Sequence, residues 1–155
     1  MLWPNVENVN SGYRLAVIGS IKETAMDYAD VGFFAARYMI AHYPKQLSTR
    51  FEFETLPQTE LELIEAIGRK RGCLGKNGVV DIDRASRILV NELRSGGLGP
   101  LTYETPDMMA RERVLTEIAI AEKAAKKKKK DEKRQKRFRA QQRAKKKKKD
   151  IGRRY

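Results

Sequence analysis

Apolar positions recur with helical spacing through most of the chain and then cease. Val31, Phe34, Ala35, Tyr38 and Met39 fall at i, i+3, i+4, i+7 and i+8, one continuous stripe. Asp30 is placed to cap that helix, and Pro44 closes it, because the residue before a proline is pushed out of helical space. A second pattern covers Thr59 to Gly97. Thr59 and Glu62 have capping-box spacing, and Arg69, Lys70 and Arg71 precede Gly72, so cations meet the negative end of the helix dipole before a left-handed cap. Asp81 is placed to cap the next helix, which Gly96 and Gly97 end. Leu63, Ile64 and Ile67 form the inward face of the first helix of this pair. Ile82, Ala85, Ile88, Leu89 and Leu93 form that of the second. This pair reads as the centre of the fold.

Flanking segments give weaker patterns. Ser11 is placed to cap a short helix over 12–18, and 21–27 reads as a loop or turn. Residues 51–57 alternate briefly, but Pro57 favours an extended connection over a strand. Residues 98–106 form a strap with prolines at 100 and 106. Asp107 is placed to cap a last helix that carries Val114, Leu115 and Ile118 before it turns wholly polar. The fold class expected is all-α: a small bundle of four to five helices with a disordered or partly helical basic C-terminal tail.

Charge sharpens that division. Residues 1–110 hold 12 Lys/Arg against 14 Asp/Glu, whereas residues 111–155 hold 21 against 6. The net charge of +13 therefore resides in the tail. From 121 onward no apolar face remains to offset the entropy of ordering. Ala, Lys, Glu, Gln and Arg still favour helix, and a polyanion would relieve the like-charge repulsion that opposes it. The candidate RNA-binding groups of the tail are Lys126, Lys127, Lys128, Lys129, Lys130, Lys133, Arg134, Lys136, Arg137, Arg139, Lys145, Lys146, Lys147, Lys148 and Lys149. Such groups bind phosphates by counterion release and carry no sequence reading of their own. A second, smaller set is Arg69, Lys70 and Arg71 with Lys76, which is equally explained as compensation of a helix dipole.

Other chemistry finds no support. Cys73 is the single cysteine and His42 the single histidine, so neither a zinc set nor a His-based triad can be assembled, and no disulfide can form within the chain. Gly75-Lys76 fails as a phosphate loop, because Lys70 stands where the first glycine belongs and Asn77 where Ser or Thr belongs. Glu60, Glu62 and Glu65 read as a solvated helix face. No catalytic, cofactor-binding or metal-binding residue is expected in this chain. The lone cysteine, the lack of a secretory leader and the lack of a long apolar run predict a cytoplasmic protein with no membrane partner.

The order of short motifs carries a resemblance. Leu2-Trp-Pro, Gly12-Tyr-Arg-Leu-Ala-Val-Ile-Gly-Ser-Ile-Lys, Asp30-Val, His42-Tyr-Pro, Ile67-Gly-Arg-Lys-Arg-Gly-Cys-Leu and Arg94-Ser-Gly-Gly-Leu-Gly follow one another over residues 1–106. The chain thereby resembles the C-terminal portion of the ribosome biogenesis GTPase A family. The resemblance implies a circularly permuted GTPase whose Asp-x-Pro-Gly switch stands directly before Leu-Trp-Pro. It implies that the family's guanine-recognition and phosphate-loop motifs come earlier still. None of these motifs occurs in the 155 residues, so GTP and Mg2+ are expected of the full-length family protein and not of this chain. A fragment, a truncated product or a mis-started reading frame is expected, and the apolar start at Leu2 and Trp3 agrees with that.

The resemblance further implies a helical domain that contacts ribosomal RNA during late assembly of the large ribosomal subunit. Residues 1–20 would follow the missing switch, 21–106 would be the ribosome-binding domain, and 107–155 a helix running into the basic tail. The rival expectation is a protein-interaction module. In it, an apolar strip of Leu2, Trp3, Val6, Val9 and Leu15 docks the missing GTPase domain or another protein, and the tail only solubilises.

Overall fold

The computed structural model describes residue 6 and residues 8–151, with side chains placed up to residue 139. Leu2 and Trp3 lie outside the described residues. The described chain is all-α: α1 (Val9–Val17), α2 (Tyr28–His42), α3 (Pro44–Phe51), α4 (Glu60–Lys70), α5 (Ile82–Arg94) and α6 (Pro106–Ile151), with 3-10 turns at Glu23–Ala25 and Lys76–Gly78. The chain divides into two compact units, Met1–Thr105 and Pro106–Tyr155.

The first unit is a five-helix bundle. Leu63, Ile64 and Ile67 of α4 are fully buried, as are Ala85 and Leu89 of α5, and Leu93 nearly so. Val90 joins them, one place around the helix from the predicted face. The α4–α5 pair is not the sole centre, because α2 packs against α1, α3, α4 and α5. Its close fit on α5 rests on Gly32: a Cβ there would overlap the Ser86 side chain. Val31, Ala35, Ala36 and Met39 of α2 are buried in consequence.

Caps confirm some helix starts and move others. The capping box at Thr59 is formed in both directions, and Asp81 Oδ1 accepts from the Arg84 amide at 3.1 Å. Gly72 takes the left-handed conformation with φ +68. The cap of α1 is Asn8 and not Ser11, since Asn8 Oδ1 accepts from the Asn10 amide at 2.8 Å. The cap of α2 is Asp27 and not Asp30, accepting from the Ala29 amide at 2.9 Å. Asp30 instead lies in the first turn. In α6 the helix begins at Pro106, whose fixed φ suits the first helical position, and Asp107 falls in the first turn.

Helix α3 has no counterpart in the predicted elements. Pro44 ends α2 and also begins α3, which buries only Leu47 and Phe51. Two core positions one turn apart are too few to reveal a period. Glu52, left-handed at φ +53, terminates the helix.

The family-like motifs meet in space. The Arg94 guanidinium donates from Nη2 to the Ala16 carbonyl at 2.8 Å and from Nε to the Val17 carbonyl at 3.1 Å, closing the C-terminus of α1. The strap is held at Thr102: its amide donates to the Tyr43 hydroxyl at 2.8 Å, and its carbonyl accepts from the Tyr38 and Tyr43 hydroxyls. The second unit is α6 with a short flanking remainder. Across its 46 residues α6 would span about 70 Å at the helical rise.

Candidate nucleic-acid interface

Two sets of basic side chains occupy different settings. In α6, Lys126 to Lys130, Lys133, Arg134, Lys136, Arg137 and Arg139 are all exposed. They point around the whole helix, since runs of adjacent residues cannot share one face. The Lys126 ammonium is 3.9 Å from Glu122, one turn earlier. Lys145 to Lys149 continue the helical backbone, and their side chains lie outside the described residues. Val114, Leu115 and Ile118 are more than half exposed, and Phe138 likewise. Among the described residues the tail lies on the helix Pro106–Ile151.

The α4 cluster is engaged with its own domain. Arg69 Nη2 donates to Glu65 at 2.7 Å. Lys70 Nζ donates to the Glu52 carbonyl at 2.7 Å and stands 5.5 Å from the Phe53 ring centre. Arg71 lies 5.8 Å from the Phe51 ring centre and 3.5 Å from Glu92. Lys76 sits on the exposed 3-10 turn Lys76–Gly78, at the tip of a connection closed by a single bridge between Leu74 and Val80. Cys73, behind that turn, is buried.

Beside this cluster lies an open cleft of about 620 Å³, lined by Lys45, Gln46, Thr49, Arg50, Glu52 and the segment Gly97-Leu98-Gly99. Arg50 reaches Glu92 with both arms of its guanidinium, at 2.8 and 2.7 Å, and this forked bond raises its pKa further and keeps it charged. Glu92 thus binds Arg50 and Arg71 together. Lys45 and Arg50 were not among the candidates from sequence, because they lie on α3, whose helix the pattern did not reveal. The Pro44 start signal was the one available clue.

Among the described residues, no three His, Cys, Asp or Glu side chains converge to hold a metal ion. No helix among them is long and apolar enough to cross a membrane.

Comparison with known proteins adds the family. A ribosome biogenesis GTPase A from Bacillus cereus is 42% identical over 107 residues, covering 69% of this chain and 36% of the relative. That of Priestia megaterium is 39% identical over 106 residues, covering 68% of this chain and 37% of the relative. The chain belongs to the ribosome biogenesis GTPase A family. It matches the C-terminal part of these proteins. The Bacillus pumilus member is 37% identical over 107 residues, 69% of this chain and 38% of the relative. The chain thus spans somewhat more than a third of the length of the curated relatives it matches. No protein-family model matches the chain.

Proposed function

We propose that this chain provides the RNA contacts of a ribosome biogenesis GTPase acting in the late assembly of the large ribosomal subunit. In this reading residues 21–106 are the ribosome-binding domain, preceded by a short segment over 1–20. Residues 107–155 are a basic arm, and the work is done in the cytoplasm. The observation that carries the reading is the segregation of charge: a nearly neutral bundle is followed by a helix whose basic side chains are all exposed where described. The arm supplies attraction without sequence reading, and the bundle supplies orientation. GTP turnover, which the relatives' name states for them, would depend on motifs outside these residues.

Binding to a large-subunit ribosomal RNA transcript, measured against salt, tests this. With about 6–10 phosphates engaged, affinity falls by about 10³–10⁵ between 50 and 200 mM salt. A flat salt response excludes the proposal. Removal of residues 125–155 is expected to weaken binding while the bundle stays folded.

The protein-docking reading draws on Val6 and Val9, which are 37% and 66% exposed, whereas Leu15 of the same strip packs against the core. Capture experiments with and without nuclease separate the two. A protein partner retained after RNA is destroyed favours docking, and loss of all partners favours RNA binding.

A further inference from the structure

We infer that the cleft between α3 and the Gly97-Leu98-Gly99 segment is a binding site for the phosphate backbone of RNA, shaped by Glu92. The inference rests on the reading of the chain as an RNA-binding part and names a site within the bundle, separate in sequence from the basic tail.

Three observations support it. First, the cleft draws cations from two helices. Lys45 and Arg50 come from α3 and line it directly. Arg71, at the end of α4, reaches the Glu92 that Arg50 also binds, and Lys70 donates to the backbone of Glu52, which lines the cleft. Glu52 lines the cleft and Glu92 pairs with Arg50 and Arg71, so these four cations stand with two carboxylates. Second, the cations are held in place. Glu92 is only 16% exposed, while the Arg50 and Arg71 side chains are 40% and 41% exposed. One carboxylate thus fixes two guanidinium groups and leaves a solvent-facing part of each available. A guanidinium pre-set in this way loses less freedom on meeting a phosphate than a free lysine does.

Third, the opposite wall is built to leave room. A Cβ at Gly97 would overlap Glu92 Oε2 and come within 3.3 Å of Arg50 Nε, so a side chain there would displace the carboxylate from the ion pair. Gly99, left-handed at φ +82, has nothing within 4 Å of where its Cβ would stand. A wall of this kind lets a ligand come close to main chain. Lys45, Gln46, Thr49 and Arg50 supply polar donors along the facing edge. The charged side chains and open form of the cleft suit an extended polyanion.

Lys45 is the residue to change first. It is exposed, so its replacement leaves the core intact. The test uses the full chain and a large-subunit ribosomal RNA transcript, with affinity followed from 50 to 200 mM salt. Lys45→Glu should weaken binding several-fold and reduce the slope of log affinity against log salt by about 1, the mark of one lost phosphate contact. Lys22→Glu, at an exposed lysine that does not line the cleft, should change both less. Arg50→Lys, which keeps charge but loses the forked bond to Glu92, should weaken RNA binding and leave the slope nearly unchanged.

Equal effects of Lys45→Glu and Lys22→Glu overturn the cleft as a site while leaving RNA binding by the tail intact. A flat salt response in the unsubstituted chain overturns the RNA reading itself. The thermal unfolding midpoint of Lys45→Glu should match that of the unsubstituted chain. A lower midpoint would assign the loss to folding and count against the site.

Discussion

The bundle and α6 are both helical, yet they are helical for different reasons. In the bundle, the helices bury faces against one another, and α2, α4 and α5 share one core. In α6, Val114, Leu115, Ile118 and Ile120 stand exposed, and the basic run that follows has no apolar face at all. Packing stabilises the first kind of helix. Local propensity supports the exposed basic run of the second, against the repulsion of its lysines. The exposed basic run is free to respond to a polyanion, because it has no apolar face to bury.

Matched truncations should expose the contrast most strongly. Leu89→Ala removes a fully buried side chain of α5 and is expected to destabilise the bundle by about 2–5 kcal/mol in denaturant unfolding. Leu115→Ala, at a position 65% exposed, should stay within about 0.5 kcal/mol. A large loss at Leu115 would mean that α6 shares the core of a folded unit, and the comparison would fail.

Backbone approach is the next probe. Gly32→Ala places a methyl group in the space of Ser86 and should cost about 1–3 kcal/mol, although alanine is the better helix former. An unchanged or raised unfolding midpoint would show that α2 and α5 can part without penalty.

Caps should matter less. Thr59→Ala removes the acceptor for the Glu62 amide and is expected to cost about 1 kcal/mol, read from the shift in the denaturant midpoint. No shift would mean that tertiary contacts alone hold the start of α4.

Surface charge should matter least. Arg37 bonds Glu60 at 2.5 Å, and this bond holds the Glu60 carboxyl below its usual range. The pair is largely exposed on the Arg37 side, so Arg37→Ala should cost under about 1 kcal/mol at neutral pH. A depressed carboxylate stabilises the fold above its unfolded-state pKa and loses that contribution as pH falls through its folded-state pKa. The gap between the two proteins should therefore close in acid, and a gap that widens there would contradict the assignment.

The legibility of the chain followed the length of its patterns. Over α2, α4 and α5 the period was long enough to assign both helix and inward face. At α3 the period was too short, and the cleft that α3 lines with Lys45 and Arg50 went unseen with it. Cap positions shifted by a few residues at α1 and α2 because Asn8 and Asp27 compete with Ser11 and Asp30, and sequence does not say which side chain the chain geometry will aim at the free amides. The α4 cations were visible as a cluster. Their bonds to Glu65, Glu52 and Glu92 were not, since two of those partners lie 18 and 21 positions away in sequence from Lys70 and Arg71.

By itself, the sequence determined the all-α class, the two central helices with their capping box and glycine stop, the segregation of positive charge and the family. These are local properties: period, propensity and composition act over one or two helical turns or sum along the chain. Tertiary structure alone decided that α2 joins all the bundle helices, that Arg94 closes α1, and that Glu92 gathers Arg50 and Arg71 beneath Gly97. Each of these depends on residues distant in sequence, and packing, not pattern, determines which distant groups meet.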